Sequence, residues 1–182
     1  MSIFKKPSVK RWIVGLLVAP SLLCTAYVHA ETQSLKASVD GAAFESDDPG
    51  VLLVPVAGSF TISAITKGFS AYPGPAGLSD RLMFGCRGYE AKPRKYTIED
   101  FRSGRCNAGF TKGQSKQTMG KPMAEYESRR DATQQKSFIE ITSASGKVIE
   151  GKFLVELVPE GSPKGTKAIV AEGTFKAEDR QK

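Results

Sequence analysis

The last third of the chain alternates side chains with a period of two between strong turn signals. That pattern restricts the fold more than any other feature. Ser137–Thr142, Val148–Val158 and Lys167–Lys176 are β-branched or alternating runs, and alternation of this kind builds a half-buried sheet face. Ser143-Ala144-Ser145-Gly146 separates the first two, and Glu160-Gly161-Ser162-Pro163-Lys164-Gly165 the last two. Three consecutive strands joined by turns predict an antiparallel meander. Phe153, Val155 and Leu157 fall on one face of the middle run, and Ile169, Ala171 and Phe175 on one face of the last. Val148–Phe153 and Val170–Phe175 also share V-x-E-G-x-F. Glycine inside a strand marks a bulge or a close backbone approach, so the echo predicts similar bends in two strands. A solenoid would need three or more copies.

Upstream, the same grammar is sparser. Glu31 to Ala37 is a polar lead-in, Val39-Asp40-Gly41 a turn, and Ser46-Asp47-Asp48-Pro49-Gly50 a stronger one. Val51–Val56 is apolar with Pro55 inside it, which predicts an edge strand. Residues 59–66 alternate as a half-buried strand, 73–77 form a loop, and strands follow at Arg81–Cys86 and around Tyr96–Ile98. Residues 112–136 read as a mobile surface excursion, because only Met119, Met123 and Tyr126 are large and apolar there. Pro122 is placed to open a short exposed helix through Arg130.

The first thirty residues have the layout of a secretory leader. Lys5, Lys6, Lys10 and Arg11 precede the apolar stretch Trp12–Ala19, and Val28 and Ala30 are small residues at the −3 and −1 positions of a cleavage site. The competing reading is a retained anchor, since Trp12 to Ala30 holds no Asp, Glu, Lys or Arg. Pro20, the polar Ser21, Thr25, Tyr27 and His29, and the Val-His-Ala ending favour cleavage. The expectation is therefore a signal peptide over residues 1–30 and a single exported domain over 31–182, periplasmic or secreted, with no membrane span after cleavage. Cys86 and Cys106 are the cysteines left downstream of the leader. An oxidising compartment predicts that they form a disulfide, which would stabilise the fold by roughly 3 kcal/mol.

Cleavage after Ala30 also removes the chain's one histidine and one tryptophan. That excludes Ser-His-Asp and Cys-His catalysis and any imidazole metal site from the exported part. No S-x-x-K and no G-x-x-x-x-G-K-[ST] occurs there, and Asp47-Asp48 lacks the further ligands of a calcium loop. No cofactor and no metal are expected. Carboxylate-pair chemistry on glycans needs only two facing acids and stays open.

The formal charge of +7 depends partly on the leader, which carries four of the 26 bases and none of the 19 acids. Residues 81–112 hold eight bases against three acids, interleaved with Phe84, Tyr89, Tyr96, Phe101 and Phe110. Arginine and aromatic side chains are enriched at interfaces. This makes Arg87, Tyr89, Lys92, Arg94, Lys95, Tyr96, Arg102 and Arg105, constrained by the cysteine pair, the candidate binding residues. The bland alternative is a solvated basic face whose aromatics point into the core.

The Val39-Asp40-Gly41-x-x-Phe44 opening, together with the two V-x-E-G-x-F strands, resembles small exported bacterial β domains. The resemblance implies a sandwich or barrel and carries no catalytic residues. The fold expected is all-β, with room for one short surface helix: an antiparallel sandwich or barrel with a C-terminal meander and one disulfide. The function expected is non-enzymatic binding, in its most concrete form that of an inhibitor or immunity-type protein. Its partner would be an acidic protein or an anionic glycan, and not nucleic acid. A carboxylate-dependent glycan-active enzyme and an envelope structural or assembly component are the alternatives.

Overall fold

A computed structural model describes residues 33–70, 76–115, 120–130 and 136–180. The leader expected at residues 1–30 lies outside them. Among the described residues no helix is long and apolar enough to cross a membrane. The chain is nearly all β. Its strands are β1 (Ser34–Val39), β2 (Ala42–Ser46), β3 (Val51–Val56), β4 (Ser59–Ile65), β5 (Leu78–Arg87), β6 (Arg94–Tyr96), β7 (Cys106–Ser115), β8 (Ala124–Glu127), β9 (Phe138–Ser145), β10 (Val148–Pro159) and β11 (Ile169–Glu178). One short helix, α1 (Ile98–Arg102), lies between β6 and β7.

All pairing is antiparallel, in the order β2-β1-β11-β10-β8-β7-β5-β4-β3, with β9 between β10 and β6. One edge of β10 serves two neighbours: Val148 to Leu154 pair with β9, and Val158 and Pro159 pair with β8. β10 thereby leads the sheet from one layer to the other. The free edges of β2 and β3 belong to consecutive strands, so the sheet is nearly closed. The segment just past β4 also ties to β2 and the turn after it: the Lys67 amide donates to the Glu45 carbonyl at 2.7 Å, and the Gly68 amide to the Asp47 carboxylate at 3.2 Å.

The inward positions of both layers form one core. Phe84 lies 4.6 Å from Phe153 and 5.4 Å from Phe175 between ring centroids, and Leu35, Ile62, Leu82, Ile139, Val155 and Leu157 pack around them without exposure. Each such side chain contributes about 1.5–3 kcal/mol by leaving water. Outward positions are polar or charged over most of the surface.

The C-terminal meander is β9-β10-β11, as its alternation requires. The repeated V-x-E-G-x-F has a physical cause. β10 and β11 pair so that Gly151 faces Phe175 and Phe153 faces Gly173. A Cβ at Gly151 would land on the Glu140 carbonyl and within 2.6 Å of the Phe175 ring, and one at Gly173 on the Lys36 carbonyl. Each glycine therefore admits a neighbouring backbone at close range, and at Gly151 the facing ring also covers the bare strand. The register between β9 and β10 shifts beside Gly151, where a bulge leaves Thr142 without a partner residue in the ladder.

Pro55 lies in β3, which ends the strand order, so the edge assignment holds. The Val39-Asp40-Gly41 turn joins β1 to β2 with Asp40 and Gly41 both at positive φ (50° and 82°), the geometry of a tight hairpin turn. Two expectations are corrected. The helix expected from Pro122 through Arg130 is strand β8, with Ala124 and Tyr126 facing inward between β7 and β10. Four residues alternating inside a closing sheet gain more from the ladder than an exposed helix with a thin apolar stripe would gain. The polar lead-in at 31–37 is mostly strand β1, which is paired along both edges by β2 and β11.

Candidate functional site

Cys86 and Cys106 face each other across β5 and β7 and form a disulfide. Both are buried, while their strand neighbours point outward. On this outer face Thr61, Gly85 and Asn107 stand in one row across β4, β5 and β7. Gly85 leaves the row low in the middle. A Cβ there would land on the Phe60 carbonyl and 2.9 Å from the Thr61 hydroxyl, so no larger residue fits.

An open cleft of about 370 Å³ lies over this row, lined mainly by polar groups. Ser59, Thr61, Asn107 and Ser128 line it together with Arg87, Arg105, Arg130 and one carboxylate, Glu127. Strand geometry places the first two arginines: Arg87 ends β5, and its amide donates to the Arg105 carbonyl at 2.9 Å. Arg130 arrives from the segment after β8 and lies against Gly104, where even a methyl would come within 2.5 Å of its guanidinium carbon. Arg105 is partly neutralised by Asp100 at 2.8 Å. Arg87 and Arg130 have no carboxylate within ion-pair distance among the described residues.

Helix α1 frames the cleft. The Asp100 side chain accepts the Thr97 amide at 2.8 Å, which closes the helix N-terminus. The same carboxylate reaches Arg105, so one acid both caps the helix and orients a cleft arginine. The strand expected around Tyr96–Ile98 is instead β6, which ends at Tyr96, and Ile98 opens α1, because Asp100 closes a helical turn onto Thr97.

The eight candidate residues divide. Arg87 and Arg105 line the cleft. Arg102 turns to Glu99 at 2.7 Å along α1. The Arg94 guanidinium donates to the Gly88 carbonyl at 2.9 Å and lies 4.8 Å from the Tyr96 ring centre. Lys95 lies 4.8 Å from the Phe138 ring centre, and Lys92 makes a loose, exposed pair with Glu90 at 4.0 Å. Tyr89 is half-buried, edge-on to Phe60 at 5.3 Å. Tyr96 is wholly buried and offers no surface to a partner, and Phe84, Phe101 and Phe110 are likewise core residues. The basic segment is thus exposed, its aromatics mostly turn inward, and two of its cations reach the cleft. Burial raises both tyrosine pKa values; for Tyr96 the nearby Arg94 charge opposes the effect.

Sequence reasoning missed Arg130, whose approach depends on β8 being a strand. It also missed Ser59, Thr61 and Asn107, whose outward positions follow from the alternation of Phe60, Ile62, Cys106 and Ala108. Among the described residues no group of three or more His, Cys, Asp or Glu is placed to hold a metal ion. Comparison with protein-family models, curated proteins and solved structures returned no match to this chain. The functional reading therefore rests on the geometry of the site and on the sequence.

Proposed function

We propose that this chain is an exported, non-enzymatic binding protein whose partner presents acidic groups to the cleft beside the disulfide. In the most concrete form of the reading it is an inhibitor or immunity-type protein. The observation that carries it is the set of three arginines around a fixed polar floor, two of them without an acidic partner among the described residues. A cation without an acidic partner at a concave surface raises the local concentration of anions and steers their approach. The disulfide and the β5–β7 ladder hold the floor before any ligand arrives, which lowers the entropic cost of association. The leader-like first thirty residues support export, and the disulfide fits an oxidising compartment.

The test is capture from envelope and secreted fractions with the chain from Glu31 as bait, at 50 and 500 mM salt. A stoichiometric partner lost at the higher salt, and lost at low salt by Arg87→Glu with Arg130→Glu, is the expected result. A complex that withstands both the salt and the charge reversal would remove the cleft from the account.

A further inference from the structure

The arginine cleft does not end at Glu127. On the same outer face a second open cleft of about 280 Å³ adjoins it, lined by Arg81, Met83, Gly109, Glu125, Glu127 and Glu160 among others. The two share Glu127. Register explains their continuity. Gly85 and Gly109 are outward positions one row apart on the neighbouring strands β5 and β7: Asn107 faces Gly85, and Gly109 faces Met83 and Glu127. Two missing side chains on adjacent strands leave a diagonal trough across the sheet. Met83 stands beside it, 42% exposed, as an apolar step between the ends.

The ends carry opposite charge. Arg87, Arg105 and Arg130 surround one, while Glu125, Glu127 and Glu160 gather at the other, facing the lone base Arg81. The Glu160 amide donates to the Glu125 carbonyl at 2.9 Å, which holds these two residues side by side. From Arg87 to the level of Arg81 is six residues along β5, and from β5 to β8 is two strand spacings. The diagonal is therefore about 20 Å, the length of six or seven residues of extended chain.

Resting on the binding reading above, we propose that the occupant is an extended polypeptide segment of a partner protein. It carries acidic residues at one end and a basic residue about six positions away. Charge decides the class of ligand. Sulfated or uronate glycans and nucleic acids carry one sign along their whole length and would be repelled by the three glutamates. A flat anionic lipid surface would not enter a trough. A polypeptide supplies both signs and an apolar residue between them for Met83. Opposed charges at the two ends also fix the direction in which the segment lies.

The probes are three fluorescein-labelled peptides titrated at 50 mM salt. The first has two Asp at one end, two Lys at the other and four neutral apolar residues between them. The second replaces the two Lys with Asp, and the third intersperses the charges of the first. The receptor is the chain from Glu31, oxidised, either unaltered or as Glu125→Lys/Glu160→Lys or Arg87→Glu/Arg130→Glu. All four substituted side chains are exposed, and circular dichroism verifies that the variants fold. The two-ended peptide is expected to bind at least fivefold more tightly than the interspersed one. The glutamate reversal should weaken it about tenfold while strengthening the all-acidic peptide, and the arginine reversal should weaken both. An all-acidic peptide that binds as well as the two-ended one, with no effect of the glutamate reversal, overturns the trough and leaves the arginine cleft standing. Failure of every peptide to bind at millimolar concentration overturns the trough, and a partner captured regardless of the arginine reversal overturns the underlying reading as well.

Discussion

Replacing Gly151 with alanine isolates the steric cause of the repeated motif. The new methyl would meet the Glu140 carbonyl and the Phe175 ring, with ring carbons at 2.6 and 2.9 Å. The ring has little room to retreat: it is 4% exposed and packed on Phe84. The carbonyl belongs to β9, which pairs with β10 at this level. Overpacking of this kind costs about 1–3 kcal/mol, and a backbone obstacle places Gly151→Ala near the upper end. At about 2–4 °C per kcal/mol for a domain of this size, the melting temperature should fall by about 10 °C. Gly146→Ala is the control. That glycine has φ +59° with nothing within 4 Å of an added methyl, so only backbone conformation is penalised, at about 1–2 kcal/mol. Urea titration of both variants with an unchanged m-value gives the comparison directly. Adding Phe175→Leu to Gly151→Ala should restore part of the loss, because the ring is relieved and the carbonyl is not. A Gly151→Ala variant no less stable than Gly146→Ala would refute the reasoning, since close approach would then not be what the position demands.

Two further outcomes follow from the fold. Cys86→Ser with Cys106→Ser opens a crosslink between residues twenty apart and should lower stability by about 3 kcal/mol, read as a urea midpoint shift; equal midpoints for the oxidised and reduced parent would contradict it. Burial raises the folded-state pKa of Tyr96, so the stability linked to that phenol is fully present below the unfolded value of about 10 and is lost as pH rises through the raised one. Tyr96→Phe should therefore lose less stability than the parent between pH 9 and 11, and parallel losses would show that the phenol is not held protonated by the fold.

What could be read from the sequence was what local alternation encodes. Phe153, Val155 and Leu157 declare a sheet face by themselves, and Pro55 declares an edge. β1 has only Leu35 and Val39 as large apolar residues, and it is a strand because β2 and β11 flank it. The Gly113–Ser115 end of β7 lacks any hydrophobic signal and is held by Leu78 and Ser79 and by the Asp80 carboxylate, which accepts the Gly113 amide at 2.8 Å. The basic segment was visible as charge, but charge does not say which cations share a cavity. Arg87 and Arg105 do so through register, and Arg130 joins them only because β8 carries the chain back across β7. The pairing of Cys86 with Cys106 needed no geometry, since no other partner exists once the leader is set aside.

The pairing of β1 with β11 sets an order of events. Ser34 lies opposite Lys176, and the Gln33 side chain accepts the Glu178 amide at 2.9 Å, so the earliest described strand is secured by the last. β2 joins the sheet ladder through β1 alone. A chain delivered from its N-terminus must therefore hold its first hairpin, which ends at Ser46, undocked until β11 at Ile169–Glu178 has arrived, and local strand pairs such as β3–β4 and β9–β10 are free to form first. During that wait the β11-facing edge of β1 is open to any other strand. Truncation within β11 would unseat the beginning of the domain as well as its end.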